Sequence, residues 1–381
     1  MWYLQIRPLL ILAAAAVLMA AFVKLFAGHA RFRTIYKYVL MAASLAGIFI
    51  INYAAGLFYC VYTLFTYALV QILKRSGRGC KPLFALFVVL CFIPLIAVRL
   101  INIRSGEDFS WLTIGIAFNM LKAADALFYT YYTGERIRFT VFINFIIFLP
   151  TFTAGPIIRF RDFVNTEILP VASTDVVYCA KRIIRGMFKK IVIVTFIMLV
   201  FNRLLEVDSS ILVSLAVIVS SYFLLFFDLS GYSDIAIAFG RLFGVKVAEN
   251  FKNPFRAPSL TIFWRNWHVT LSDWIREHVF VVFSEKKLNK LPAAALSFAV
   301  MVFMGLWHGF SLPILIGGAY NGAFLFIESL CGWTGYKRNS NKALFVIRCV
   351  LTNFVFAVNT LLFTTDIAQM TGILKGLAIW K

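Results

Sequence analysis

Long apolar runs are the feature that most constrains this chain of 381 residues. A helix needs ~20 largely apolar residues to cross the hydrocarbon core of a bilayer, and about nine runs approach that length, with two or three shorter ones that read as re-entrant segments. Hydrophobic residues make up 61% of the chain and charged residues 14%. Both values lie far outside the range of water-soluble domains. The sequence therefore predicts an all-α polytopic membrane protein that forms a single membrane-embedded domain over residues 1–381.

The basic residues follow the pattern that membrane topology requires. The formal net charge is +20, which by itself would also suit a nucleic-acid partner. The lysines and arginines are scattered over short loops, however, and strongly basic loops alternate with nearly neutral ones. We therefore expect no nucleic-acid binding, cytoplasmic basic loops, an external N-terminus and a first helix that is retained. The six cysteines show no metal-type spacing and are interpreted as packing residues, so no metal site is predicted.

Two segments in the middle of the chain depart from the pattern of plain spans. The apolar stretch from Phe142 to Pro156 ends in Pro-Thr-Phe-Thr-Ala-Gly-Pro, and because two prolines and a glycine cannot continue a helix, a broken or re-entrant segment is expected. The following basic stretch, Arg159 to Lys190, predicts an amphipathic surface that faces lipid head groups.

Polar residues at membrane depth are costly, and residues 228–308 hold most of them. Asp228 and Asp234 flank Gly231 in an otherwise apolar run. The sequence leaves two hypotheses open for these acids. They cap or cross-link helices at a break near Gly231, or they contact substrate directly.

A strongly amphipathic helix is predicted from Leu260 to His278, after a loop at residues 249–255 and with Ser259 as its N-cap. His268 falls on the apolar face of that helix. It is either a hydrogen-bonded packing residue or a catalytic group, and His278 reads as a helix-end residue.

His308 closes an apolar span that starts near Leu291. We expect its imidazole to be buried, which would keep it uncharged near neutral pH and suit it to general-base work. Such a base could take the proton of a substrate hydroxyl that attacks a thioester. A structural helix-end histidine is the alternative. The sequence contains no Gly-x-Ser-x-Gly, Walker or His-Glu-x-x-His motif to support a rival chemistry.

Three stretches together resemble the membrane-bound O-acyltransferase (MBOAT) family. They are Asn250-Phe-Lys-Asn-Pro-Phe, Phe263-Trp-Arg-Asn-Trp-His268-Val-Thr-Leu-Ser272, and Gly-Leu-Trp-His308-Gly. The run from Phe148 to Phe160 and the Phe-Phe-Asp228-Leu-Ser-Gly-Tyr-Ser segment are similar to the teichoic-acid D-alanyltransferase subgroup. The resemblance covers residues 110–330 well.

The resemblance implies a fold, a reaction and a site. The fold would be about eleven transmembrane helices with re-entrant helices, and His308 and His268 would be the catalytic pair. A D-alanyl group would arrive as a thioester on the phosphopantetheine arm of a cytoplasmic acyl carrier protein, and would leave to a hydroxyl of a cell-envelope glycopolymer of the teichoic acid type. A membrane-anchored accessory protein could take the group first, and the enzyme would reside in the bacterial cytoplasmic membrane without a permanently bound cofactor.

Nine further residues are predicted to bind substrate: Trp264, Arg265, Asn266, Trp267, Arg276, Trp307, Asp228, Ser233 and Arg159. The first alternative function is O-acetylation of an exported polysaccharide, which an aspartate at position 234 favours. The lower-ranked alternatives are a transporter with a midplane site at the two acids, and a scaffold in which both histidines are dispensable.

Overall fold

The computed structural model describes residues 6–26, 28–29, 31–77, 80–106, 115–166, 168, 172–280, 289–335 and 341–377. This part of the chain is almost entirely helical, and its one β-bridge joins Phe251 to Trp267. The helices are α1 (Ile6–Phe26), α2 (Phe32–Ile51), α3 (Tyr53–Ser76), α4 (Lys81–Ser105), α5 (Ile116–Thr133), α6 (Phe139–Ile146), α7 (Phe160–Val164), α8 (Ser173–Met187), α9 (Val194–Leu205), α10 (Ile211–Leu242), α11 (Leu260–Asn266), α12 (Val269–Ile275), α13 (Lys290–His308), α14 (Leu312–Cys331), α15 (Lys342–Thr364) and α16 (Ile367–Gly376).

Within the described residues, eight helices are long and apolar enough to cross a membrane: α1, α2, α3, α4, α10, α13, α14 and α15. The predicted class, an all-α polytopic membrane protein, is confirmed. Eight rather than about eleven helices meet this length and hydropathy criterion, since the others are shorter or more polar. The chain separates into two compact units, residues 1–184 with 233–248, and residues 185–232 with 249–381. The single membrane-embedded domain stays a prediction.

In the first unit, the expected broken segment is present. Helix α6 ends at Ile146, and one 3₁₀ turn covers Leu149–Thr151. The carbonyl groups released by this break are bonded by side chains of α5. Lys122 Nζ lies 3.4 and 3.5 Å from the carbonyl oxygens of Ile146 and Thr151, and Asn119 donates to the carbonyl of Phe152 at 3.0 Å. Side-chain donors therefore replace the helical bonds that the prolines remove.

Also in the first unit, an ion pair corrects the interpretation of Asp234. Helix α10 is unbroken at Gly231, so no helix cap forms there. Asp234 instead accepts from Arg182 Nε at 3.0 Å, and these side chains are only 6% and 7% exposed. Nearer the end of α10, Arg241 pairs with Asp175 at 2.8 Å. The acids thus cross-link helices, which was one of the two hypotheses.

In the second unit, Asp228 forms an ion pair with Lys190, whose side chain is fully buried in a π-helical turn at Phe188–Ile193. The basic stretch before Lys190 is therefore not a uniform lipid-facing surface. Arg182 and Lys190 turn inward to the carboxylates of α10, while Lys181 and Arg185 remain exposed. Charge pairing at membrane depth outweighs the head-group contacts that the amphipathic pattern predicted.

Helices α13 and α14 of the second unit touch backbone to backbone. A Cβ added to Gly305 would stand 2.8 Å from the carbonyl oxygen of Ile314, and one added to Gly318 would stand 2.7 Å from that of Met301. Small residues permit such approach between membrane helices. This close contact lies three residues before His308.

The Arg182–Asp234 pair gives a direct test of this packing. We expect Asp234→Asn to destabilise the detergent-solubilised protein by about 3–5 kcal/mol, because Arg182 is left buried without a counter-charge. The apolar double variant Arg182→Met/Asp234→Leu should recover most of that loss. The midpoint of thermal unfolding, followed by tryptophan fluorescence, measures both effects. Glu206→Gln, which breaks the exposed Arg203–Glu206 pair, is the control. Equal midpoints for Asp234→Asn and the control would contradict a stabilising pair.

Candidate active site

The segment predicted as one amphipathic helix is broken at His268. Helix α11 ends at Asn266, α12 begins at Val269, and a π-helical turn follows over Arg276–Phe280. His268 has φ 45° and ψ 52°, the left-handed conformation that a residue with a Cβ rarely adopts. Such a conformation costs of order 1–3 kcal/mol and persists only where its surroundings enforce it.

The loop at residues 249–255 enforces this break. Val269 N donates to the carbonyl of Asn250 at 2.9 Å, and Lys252 N donates to that of Asn266 at 2.9 Å. The Asn250 side chain adds a bond from Thr270 Oγ1 at 2.8 Å. The loop itself was predicted from its Asn-Pro chemistry, but its pairing with residues 266–270 was not. Asn250 is thus a site-forming residue that the sequence analysis missed.

Trp267 anchors the break in an aromatic cluster rather than at a membrane interface. The Trp267 side chain is 3% exposed. Its ring centroid lies 4.8 Å from that of Phe356 and 5.1 Å from that of Phe251. The interior of the second unit, rather than substrate, surrounds this ring. The surroundings therefore assign Trp267 a structural part in holding the backbone of His268.

Two buried polar atoms at the break have no partner in the part of the chain that the structure describes. They are Nδ1 of His268 and the indole Nε1 of Trp264. Buried polar groups are nearly always hydrogen-bonded. Two such atoms without a hydrogen bond, next to a residue with a strained backbone, are typical of a site that receives a polar ligand. Burial, and to a smaller extent the nearby His308, lowers the pKa of His268 to about 4. His268 is accordingly uncharged at neutral pH.

His308 is exposed, contrary to the expectation of a buried ring. It is the last residue of α13, where no further helical turn covers it. Its ring meets those of Trp307 at 4.7 Å and Phe363 at 5.6 Å. The accessible imidazole is therefore His308, whose predicted burial is wrong, whereas His268 is buried, in keeping with its predicted place on an apolar face.

A cavity of about 300 Å³ lies beside this constellation in the second unit. Its volume is at the lower end of the ~300–1,000 Å³ typical of ligand pockets. The side chains that line it come from the broken segment, from α13 and from α14. They include Trp264, Arg265, Asp273, Arg276, Ser297, Val300, Met301 and Met304.

The cavity extends along α13 toward His308. Met304 lies about one helical turn before His308, and Ser297 lies about two turns farther back. The cavity combines two cationic groups with an apolar wall, which suits a long ligand with an anionic end. Arg276 already pairs with Asp273 at 2.8 Å.

The remaining predicted residues occupy varied positions. Asn266 ends α11 and is half-buried outside the cavity, and Trp307 is buried against His308. Asp228 belongs to the second unit as the partner of Lys190, whereas Ser233 and Arg159 belong to the first unit. His278 stacks on Trp274 at 4.4 Å and its Nδ1 lies 2.8 Å from the Trp274 carbonyl oxygen, a packing role.

The sequence analysis also missed Asp273, Ser297 and Met304. The last two share the cavity-facing side of α13 through a spacing of seven residues. That spacing was visible in the sequence, but nothing distinguished a cavity wall from ordinary packing.

Comparison with known proteins agrees with this geometry. The family described as MBOAT, membrane-bound O-acyltransferase, matches residues 61–356. A probable alginate O-acetylase (AlgI) of Pseudomonas syringae pv. tomato is 30% identical over 273 residues, which cover 70% of this chain and 51% of that protein. A teichoic acid D-alanyltransferase of Streptococcus thermophilus is 30% identical over 288 residues, 70% of this chain and 68% of the relative. A peptidoglycan O-acetyltransferase of Helicobacter pylori is 25% identical over 250 residues, 63% of this chain and 47% of the relative.

This chain spans about half the length of the alginate O-acetylases it matches. The family match itself covers well over half of the chain and includes both histidines. The relatives differ in the acyl group and the acceptor that their names state, but all are O-acyl-transferring enzymes. The protein is a multi-pass membrane protein and belongs to the membrane-bound O-acyltransferase (MBOAT) family.

Proposed function

We propose that this enzyme moves a D-alanyl group from a thioester on a cytoplasmic carrier protein to a hydroxyl of a cell-envelope glycopolymer of the teichoic acid type. The observation that carries the proposal is the cavity along α13. The exposed residues Arg265 and Arg276 line it, and its lining extends to Met304, about one helical turn before His308. The broken segment at His268 forms another wall of the same cavity.

Charge distribution supports entry of the donor from the cytoplasm. In the sequence, Lys286 and Lys287 precede α13, whose first residue is Lys290, whereas residues 309–311 after its end contain no basic residue. The positive-inside rule then assigns the start of α13 to the cytoplasm and His308 to the opposite side. With a rise of ~1.5 Å per residue, His308 lies about 27 Å from Lys290 along the axis. We accordingly propose the bacterial cytoplasmic membrane as the location.

The donor arm matches the lining of the cavity. Phosphopantetheine is a long, narrow substrate with a phosphate at one end and a thioester at the other. Arg265 and Arg276 offer charges to the phosphate, and Val300, Met301 and Met304 offer an apolar wall to the rest. The two arginines would also attract a carrier protein of net negative charge. A membrane-anchored accessory protein could accept the acyl group before it reaches the glycopolymer.

The transfer requires one base and an orienting group. The acceptor oxygen attacks the thioester carbonyl carbon, a C–O bond forms and the C–S bond breaks. His308 takes the hydroxyl proton and returns it to the departing sulfur as a thiol. His268, uncharged and with an unbonded Nδ1, orients the reacting groups.

The acyl group has two candidates. D-alanine is the first candidate, which the relatives named as teichoic acid D-alanyltransferases favour. Acetyl is the second candidate, which the relatives named as alginate O-acetylases favour. Asp234 no longer argues for acetyl transfer, because its buried pairing with Arg182 accounts for it. The same pairing, with that of Asp228, weakens the transporter alternative.

Replacement of His308 by Ala tests the mechanism. We expect transfer to fall by about 10²- to 10⁴-fold because the general base is lost, while binding of the carrier is unchanged. The assay supplies reconstituted enzyme with carrier that bears labelled D-alanyl or labelled acetyl, and follows loss of each label. His29→Ala, an exposed histidine of the first unit, is the control.

Wild-type enzyme should discharge the D-alanyl carrier. Discharge of the acetyl carrier alone would establish the second candidate instead. Unimpaired transfer by His308→Ala would reject the proposed base, and failure of both carriers would reject the proposed donor.

Filling the cavity tests the path of the arm. Ser297→Phe adds a bulky ring to the lining, and we expect it to raise KM for the loaded carrier with little change in thermal stability. Ala299→Phe adds the same ring two residues farther along α13, on an exposed face outside the cavity. Steady-state kinetics with both variants separate obstruction from general damage, and equal KM values would exclude this cavity as the route.

A further inference from the structure

The second unit contains a larger groove, of about 760 Å³, that the acyl-transfer chemistry does not use. It lies between two membrane-spanning helices, α10 and α15. Val219 and Phe223 form one side, and Val346, Val350 and Phe354 form the other. Because many of these apolar side chains are exposed on helices that cross the membrane, the groove faces lipid chains.

The floor of the groove is a fixed structure. Tyr222 donates from its hydroxyl to Asn353 Oδ1 at 2.7 Å, and Asn353 Nδ2 donates to the carbonyl of Phe255 at 3.2 Å. The Phe255 ring lies 5.7 Å from that of Tyr222. These bonds occupy the polar atoms of the floor, so aromatic faces are left to meet a ligand.

Two cationic residues, Arg256 and Lys342, also line the groove. Both are exposed, and no hydrogen bond or ion pair joins either side chain to another residue of the described chain. No aspartate or glutamate lines the groove. Arg256 lies between two residues that are bonded to α15: Asn353 bonds the carbonyl of Phe255, and Arg348, which is nearer Lys342, bonds that of Pro258. A guanidinium on the surface of a membrane helix bundle is stabilised where an anion meets it.

Position and charge together define the ligand. In the sequence, Lys337 and Arg338 precede Lys342, the first residue of α15, and these three basic residues assign this end of the helix to the cytoplasmic leaflet. From Lys342 to Ala357 the groove runs about 22 Å along α15, more than the ~15 Å depth of one leaflet's hydrocarbon. We propose that the groove binds one anionic glycerophospholipid of the cytoplasmic leaflet, with its phosphate at Arg256 and Lys342 and an acyl chain between α10 and α15.

Such a lipid would also support the broken segment. The ring of Tyr222, which forms the groove floor, lies 5.8 Å from that of Trp267, the residue before His268. The proposed lipid would contact Tyr222, whose ring neighbours Trp267, and would so support the backbone of His268 as a structural ligand. This inference is independent of which acyl group the enzyme transfers.

The test measures retained lipid and needs no activity. Wild-type protein is reconstituted in nanodiscs of equal phosphatidylglycerol and phosphatidylcholine, extracted in mild detergent, washed, and analysed for bound phospholipid by mass spectrometry. We expect retention of about one phosphatidylglycerol per chain, with phosphatidylcholine largely lost. Arg256→Gln/Lys342→Gln should lower that retention by about tenfold, since both phosphate contacts are removed. Arg203→Gln/Lys375→Gln removes two exposed charges outside the groove and is the matched control.

A steric pair of variants separates charge from shape. Val350→Trp fills the groove and should displace the lipid, whereas Leu351→Trp adds the same ring to an exposed position of α15 outside it. Unfolding midpoints confirm that each variant is folded. Equal retention of the two phospholipids by wild type, or retention by Arg256→Gln/Lys342→Gln equal to that of its control, would overturn the proposal.

Discussion

Inside a hydrocarbon layer no water reaches a peptide group, so each backbone N–H and C=O must find its partner within the protein. Both irregular segments of this protein obey that constraint in the same way. Where α6 stops, Lys122 and Asn119 bond the released carbonyls. Where α11 stops, the Asn250 loop supplies acceptors and donors to residues 266–270. A site with non-helical backbone at membrane depth can exist here only because another part of the chain completes its hydrogen bonds.

Charged side chains at membrane depth also need partners within the protein or a ligand. Asp228 and Asp234 sit on a long apolar helix, a position that usually marks a transport or catalytic path. Each is neutralised by a basic residue of the preceding helical stretch. Arg256 and Lys342 have no such carboxylate within the described chain, and a lipid phosphate would complete their environment. Pairing, rather than depth alone, therefore separates structural charges from ligand-binding ones.

Hydropathy and the helix-breaking run at residues 150–156 were enough to predict the helical membrane fold and the broken segment. They could not predict the break at His268, because no glycine or proline stands there. The left-handed backbone is imposed by the loop at residues 249–255, which meets residues 266–270 only in the folded chain. The exposure of His308 was also missed, because a ring at the last residue of a helix has no following turn to cover it. The burial of His268 agrees with its place on the apolar face. Partners for Asp228 and Asp234 were equally invisible, since they lie 38 and 52 residues away along the chain.

The glycine contacts between α13 and α14 have a mechanical consequence. Where two helices meet through side chains, rotamer changes can shift them by a fraction of an ångström as temperature or ligands vary. Gly305 and Gly318 leave no such adjustable layer, because peptide groups bear directly on one another. The imidazole of His308, three residues farther on, is thus carried by a backbone that side-chain rotamer changes cannot shift, so any adjustment of distance at that ring has to come from the molecule that approaches it.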